Sequence, residues 1–339
     1  MSENCELKYT DFKSDLSVRW CPGCGDHAIL NSVQKAMAEL QVEPHNVAVI
    51  SGIGCSSRFP YYMNTYGFHT IHGRASAIAS GVKVANPKLH VWQITGDGDA
   101  LAIGGNHFIH LIRRNIDLNV ILFNNQIYGL TKGQYSPTSK RGFISKTSPF
   151  GTVEDPFKPG QLALGAGSQF FARTVDKELK LSVEIMVEAA KHRGASIVEV
   201  LQNCVIYNDK THEAITDKKF KDDRTIILQH GKKMIFGSDQ NKGLVLDENH
   251  NLKAVTIGQD GYTLEDILVH DAQCEDVSMH QKLSNMEYPE LPVALGVIRS
   301  VDQAIYDEDV ENQLQEVQKK TTISTWEEMV NAGETWEVK

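Results

Sequence analysis

Apolar residues recur at helical spacing from Asp26 onward. In HAILNSVQKAMAEL, Ile29, Val33, Met37 and Leu40 form one stripe, which predicts an amphipathic helix. A short unbroken apolar run, 46–51, follows and reads as a buried strand. The alternation returns as helix 74–85, strand 89–95, helix 100–114 and strand 118–123, then as strand 169–174, helix 177–192 and strand 196–201. Apolar strands separated by amphipathic helices predict a doubly wound α/β fold with a mostly parallel sheet covered on both faces. The stretch 131–160, rich in Gly, Ser, Thr, Lys and Pro and without a period, reads as a long functional loop. Past residue 208 the pattern weakens to a hairpin around 249–251 and a late helix at 301–319. This divides the chain into an α/β domain, 1–208, and a small C-terminal annex, 209–339, partly packed on it.

Length and charge narrow the function classes. A chain of 339 residues buries enough surface to need no disulfide support. With 34 Lys+Arg against 43 Asp+Glu the net charge is −9, which argues against a nucleic-acid module and favours small molecules or proteins as partners. No run of eighteen apolar residues predicts a membrane span, and the polar, acidic start lacks the order of a signal peptide, so the expected location is cytoplasmic. A reducing cytosol keeps unliganded thiols free, which makes the six cysteines ligands, nucleophiles or core.

Four cysteines stand out: Cys21 and Cys24 in WCPGCGD, Cys55 in GIGCSSR and Cys204 in LQNCVIYND. Two thiolates three residues apart can reach one metal centre, because Pro22-Gly23 turns the backbone around it. Cys55 and Cys204 each follow a strand, and a parallel sheet brings such positions to its carboxyl edge. An iron–sulfur cluster, a tetrahedral zinc, and a lone CxxC with two unrelated core cysteines all remain open on spacing alone. Cys5 and Cys274 fit no pattern and read as structural; His107 and His110 read as capping or interface groups in a helix.

The second constellation is Gly96-Asp97-Gly98-Asp99 at the end of one predicted strand and Asn124-Asn125 at the end of the next. Hard oxygen donors at that edge suit Mg²⁺ shared with a diphosphate, and the glycines let backbone approach the phosphates. Two tight turns after buried strands are the plain alternative. Asp99 opens a helix, so it reads either as a cofactor contact or as an N-cap. The third glycine of a dinucleotide fingerprint is missing.

GDGD followed by NN at this distance resembles the thiamine diphosphate motif. Together with WCPGCG, GIGCSSR, HGRA and NNQIYGLTKGQYSPTS, it is similar to the β subunit of 2-oxoacid:ferredoxin oxidoreductases, over about residues 20–208. The resemblance implies thiamine diphosphate held through Mg²⁺ on Asp97, the Asn125 side chain and the Ile127 carbonyl. It implies one [4Fe-4S] cluster on Cys21, Cys24, Cys55 and Cys204. Gly54, Cys55 and Ser56, with His72 and Gly73, would border the thiazolium. Gly96, Gly98 and Asp99 complete the implied cofactor set.

The implied reaction is oxidative decarboxylation of a 2-oxoacid to an acyl-coenzyme A with reduction of ferredoxin. The glutamate that activates the cofactor would come from an α subunit, so the chain alone is expected to be inactive. Arg58 stands where the family places a cation near the substrate carboxylate, and Leu130 beside the reacting carbon. Lys132 replaces a glycine common in pyruvate-type relatives, and a second fixed cation favours 2-oxoglutarate over pyruvate or a branched-chain 2-oxoacid. A zinc-stabilised, non-redox binding protein is the rival from another class.

Overall fold

Four neighbouring parallel strands deliver the marked residues to one edge of a sheet. In the computed structural model, which describes residues 6–334 and 336–338, the strands are β1 (Val47–Ser51), β2 (Tyr66–His69), β3 (His90–Gly96), β4 (Asn119–Asn124), β5 (Phe170–Val175), β6 (Ser196–Leu201), β7 (Thr225–Leu228), β8 (Ile235–Phe236), β9 (Lys242–Leu246), β10 (Leu252–Thr256) and β11 (Val293–Ser300). The main sheet has the order β2-β1-β3-β4-β6-β5-β11-β7, with β2 to β5 parallel and β11 antiparallel to β5. Helices α1 (Asp26–Leu40), α2 (Ala75–Ala85), α3 (Asp97–Leu101), α4 (Gly105–Arg114), α5 (Pro159–Gly165) and α6 (Leu179–Lys191) belong to the first 208 residues. Cys5 lies outside the described residues.

The inner strands read as continuous apolar runs because both faces are buried. Val120 and Leu122 of β4 point into a core shared with α2, α4 and α5; Ile121 and Phe123 point into a second core under α1 and α6. Alternate side chains serve opposite layers, so the run needs no polar positions. The helix stripe holds too: Ile29, Val33 and Met37 are buried.

Two expectations change. Helix 100–114 is two helices, α3 and α4, broken at Ala102–Gly104. A Cβ on Gly104 would stand 2.4 Å from the Asp99 carbonyl oxygen and 3.1 Å from Gly73 Cα, so glycine lets the 72–74 turn press against the break. The residues beyond 208 also enter the main sheet, as β7 and β11. The predicted hairpin is β9–β10, part of a small antiparallel sheet β10-β9-β8. Helices α7 (Glu213–Thr216), α8 (Lys221–Arg224), α9 (Ser278–Ser284), α10 (Tyr306–Lys320) and α11 (Trp326–Asn331) complete the chain. The Asp307 carboxylate anchors α10 by accepting from the Asp117 N–H at 3.0 Å. No helix among the described residues is long and apolar enough to cross a membrane.

Candidate functional site

The turns after β1, β3 and β4 enclose an open cavity of about 190 Å³. Its wall includes Gly54, Cys55, Ser56, His72, Gly96, Asp97, Gly98, Asp99, Asn125, Ile127 and Leu130, so most residues singled out in the sequence meet at one place. Gly73 stands just behind it. Arg58 is exposed on the 3-10 turn Ser56–Tyr62, where its Nε donates to the Tyr62 hydroxyl at 3.0 Å, and Lys132 is exposed beyond Thr131. Neither forms part of the wall.

Asp97 is the buried anion of the cavity. Its Oδ2 accepts from the hydroxyls of Ser136 and Thr138, while burial, opposed by those two bonds, pushes its pKa up to about 6. Thr138 lies 2.9 Å from Asn124 Oδ1, Asn124 Nδ2 donates to Glu199 Oε1 at 2.7 Å, and Arg173 Nε donates to Glu199 Oε2 at 2.7 Å. This chain fixes the carboxylate from behind. Asn125 lies beside it, its Oδ1 accepting from the Ile127 N–H at 3.1 Å across the left-handed Gln126. A carboxylate, an amide oxygen and a carbonyl around one cavity are the donor set a divalent cation bound to a diphosphate requires.

Asp99 does not act as an N-cap. The helix begins at Asp97 with Gly96 before it, and the Asp99 carboxylate accepts from Ile53 N–H at 3.1 Å, Gly73 N–H at 2.8 Å and the Thr95 hydroxyl at 3.0 Å. It thereby ties the segments carrying Gly54 and His72 to β3. Glycine at 52 is what permits this, since a Cβ there would stand 1.8 Å from Asp99 Oδ2. Burial raises the Asp99 pKa, and His72 among its neighbours works the other way.

The thiols lie at the same wall: Cys55 is part of it, Cys204 and Cys24 stand close to Cys55, and the exposed Cys21 is near enough to bear on Cys55. Cys55 and Cys204 Sγ lie 3.5 and 3.6 Å from the point where a Cβ on Gly129 would stand, and Cys24 is close enough to both that a thiolate at either would disfavour its own. The CxxC segment is joined to the β6 end by the Gly25 N–H donating to the Asn203 carbonyl at 3.2 Å. Burial first, then Asp26, pushes the Cys55 thiol up to about 12 and Cys24 well above the ordinary thiol range. Thiols so held need bound cations to ionise them.

Sequence reasoning passed over several residues here. Ser136 and Thr138 lay in a loop without a period, their one signal the QYSPTS block. Asp26 read only as a polar helix start, yet it lies in the cavity wall, pushed up to about 7 by burial, with Oδ2 lacking any hydrogen-bond partner. His212, whose Nε2–H donates to the Asn124 carbonyl at 3.0 Å, had no signal at all.

Burial holds His212 down to about 4, below its unfolded value near 6.5. A depressed base gives stability that is complete above about pH 6.5 and is lost as pH falls toward 4, about 3 kcal/mol in all. His212→Gln should therefore lose less stability than the parent between pH 6.5 and 4.5 in urea unfolding. Equal losses would refute a buried neutral imidazole.

Residues 52–200 match the thiamine pyrophosphate enzyme family, in its C-terminal TPP binding domain. Over 334 residues, 98% of this chain and 88% of the relative, the sequence is 44% identical to 2-oxoglutarate oxidoreductase subunit KorB of Mycobacterium tuberculosis. The chain belongs to the 2-oxoacid:ferredoxin oxidoreductase β-subunit family. Within that family it is 43% identical to 2-oxoglutarate synthase subunit KorB of Methanothermobacter marburgensis over 69% of this chain and 83% of the relative. A solved structure of the 2-oxoglutarate:ferredoxin oxidoreductase from Magnetococcus marinus, with 2-oxoglutarate, coenzyme A and succinyl-CoA bound, superimposes with a TM-score of 0.77. It is 31% identical, and 97% of each chain is covered. The superposition covers the sheet and most of the residues beyond 208 as well as the first 208.

Proposed function

We propose that this chain is the β subunit of a 2-oxoglutarate:ferredoxin oxidoreductase, which binds thiamine diphosphate through Mg²⁺ and one [4Fe-4S] cluster and works with an α subunit. The observation that carries this is the delivery of Cys55, Asp97, Asn125 and Cys204 by the carboxyl ends of four adjacent parallel strands. Asp97, Asn125 and the Ile127 carbonyl would hold the cation, and Cys21, Cys24, Cys55 and Cys204 the cluster.

When bound, thiamine diphosphate supplies a carbon nucleophile and electron sink for cleavage of the 2-oxoacid carboxylate, and the cluster a one-electron path to ferredoxin. The protein orients and insulates. Gly129 and Cys55 both line the cavity, and a Cβ built on Gly129 would stand 3.5 and 3.6 Å from the Cys55 and Cys204 sulfurs, so thiols that would hold the cluster lie at the wall of the cavity that would hold thiamine diphosphate. A cavity of about 190 Å³ is smaller than a complete ligand pocket of roughly 300–1,000 Å³, and Ile71, Ile103, Leu130 and Ile206 stand exposed around this edge. Both features support an α subunit that closes the site and adds its own groups. Coenzyme A and the 2-oxoacid would enter the closed site, with Leu130 against the reacting carbon.

Lys132 supports the substrate choice. It holds φ +77°, a conformation that costs a non-glycine residue roughly 1–3 kcal/mol, next to Gly133 at φ +99°. Strain kept at a cation beside the cavity points to a role for the ammonium at the distal carboxylate. Lys132→Gly should leave stability unchanged or raise it by up to about 2 kcal/mol, because relief of strain equals or exceeds the roughly 0.5–1 kcal/mol of glycine entropy. It should also cut kcat/KM on 2-oxoglutarate by at least about tenfold, the worth of a 1.4 kcal/mol contact, and spare pyruvate. Equal losses on both substrates would refute the assignment.

The decisive test is anaerobic co-purification with the α subunit, followed by comparison of ferredoxin reduction on 2-oxoglutarate and pyruvate. Higher kcat/KM on 2-oxoglutarate is expected; faster turnover of pyruvate would overturn the substrate, and absence of thiamine diphosphate the whole reading.

A further inference from the structure

We infer that Gln202 is a hydrogen-bond donor to the cluster ligand Cys24 and sets the reduction potential of the cluster. The inference rests on the four-thiolate assignment above. Gln202 is 1% exposed and directly follows β6. Its Nε2 carries two hydrogens and has two acceptors in reach, the Asn203 carbonyl at 2.6 Å and Cys24 Sγ at 3.3 Å. Among the described residues no other side-chain N–H stands within hydrogen-bond distance of any of the four thiols. Gly25 packs onto the Gln202 stem, where a Cβ would stand 2.8 Å from Gln202 Cγ, and its N–H bonds to Asn203. The amide is thus clamped between the CxxC turn and the strand that carries Cys204.

An N–H directed at a thiolate sulfur stabilises negative charge on it, and that charge is greater when the cluster holds its extra electron. The donor therefore favours the reduced state and raises the potential. Gln202 Oε1 is buried without a partner, a cost that the fold retains while the Nε2 side meets sulfur. A side chain needed only for packing at this position would be apolar. Gln202 does not touch substrate or thiamine diphosphate, so it is a positioning and tuning residue.

The test uses the anaerobic complex of this chain with its α subunit. Iron is counted first, and the midpoint of the cluster is then read by EPR-monitored titration. Gln202→Met, close in size but without a donor, should keep its iron and shift the midpoint to more negative potential; Gln202→Glu should shift it further the same way. A Met variant with full iron and an unshifted or more positive midpoint overturns the role of Gln202 alone. A parent complex that contains no iron overturns the cluster assignment and this inference together. If the Met variant loses its iron, the unmodified complex decides. Grown with side-chain ¹⁵N-glutamine, its reduced cluster should show ¹⁵N coupling in pulsed EPR, and absence of that coupling refutes the bond. A purely structural side chain would change iron content or unfolding, and neither midpoint nor coupling.

Discussion

Asp97→Asn is expected to make the isolated chain more stable and nearly abolish its affinity for thiamine diphosphate and Mg²⁺. The amide is isosteric, and the hydroxyls of Ser136 and Thr138, which now donate to Oδ2, can rotate to meet an amide group. In the protein without its cation the carboxylate is buried, and its pKa is pushed from 3.8 to about 6. For an acid raised in this way, the charged form is penalised in the fold. The penalty is complete above about pH 6 and vanishes below about pH 4, which at neutral pH amounts to on the order of 3 kcal/mol. Removal of the charge removes the penalty. It also removes the one anionic donor among the three groups proposed to hold the cation, an expected loss of about 4 kcal/mol or roughly a thousandfold in cofactor affinity. Urea unfolding and calorimetric titration with thiamine diphosphate and Mg²⁺ read the two effects separately. A variant that binds the cofactor like the parent would end the case for Asp97 as the cation ligand. A variant less stable than the parent would show that the hydroxyl pair demands a carboxylate.

This opposition between stability and binding explains why part of the site could be read in the sequence and part could not. Asp97 and Asn125 were legible because a polar residue directly after an apolar run marks a strand end, and parallel strands put their ends on one edge. Cys55 and Cys204 follow the same logic. The hydroxyls that hold Asp97 were not legible, because Ser136 and Thr138 sit in a loop that has no period and folds back across the edge only when the sheet exists. Asp99 looked like a cap since it opens a helix in sequence; its true partners, Ile53, Gly73 and Thr95, come from three separate segments. The fold divides in the same way. Strands β1, β3, β4 and β6 declare themselves by burial on both faces. The places of β11 and β7 in the sheet follow from long-range pairing, β11 with β5 more than 120 residues away and β7 with β11 68 residues away, which local pattern does not encode. Edge strand β2 is exposed along its whole length, and its two alternate aromatics, Tyr66 and Phe68, are too short a pattern to mark a strand.

Cys204→Ser should cost the enzyme its iron and its ability to reduce ferredoxin, with little change to the fold. Cys204 opens the turn after β6, where it bridges to Asn208. Asn208 in turn donates from Nδ2 to the Asn125 carbonyl at 2.9 Å and to the Gln126 carbonyl at 3.3 Å, so this turn also braces the loop that presents Asn125 and Ile127. Serine has the same shape as cysteine and leaves every backbone bond of that turn in place, so the urea midpoint should move by no more than about 1 kcal/mol. The sulfur itself has no substitute. Loss of an outer partner of a metal ligand costs about 10- to 100-fold in affinity or activity, and loss of the ligand should exceed that. Ferredoxin reduction by the complex with the α subunit should fall more than about a hundredfold. Iron per chain should drop, and so should the absorbance near 400 nm from thiolate-to-iron charge transfer. Thiamine diphosphate binding, measured alongside, separates a lost cluster from a collapsed cavity: it should persist here and fail in Asp97→Asn. If the serine variant keeps its colour, its iron and its ferredoxin rate, Cys204 is a core cysteine that merely lies near three others, and the four-thiolate cluster falls with it.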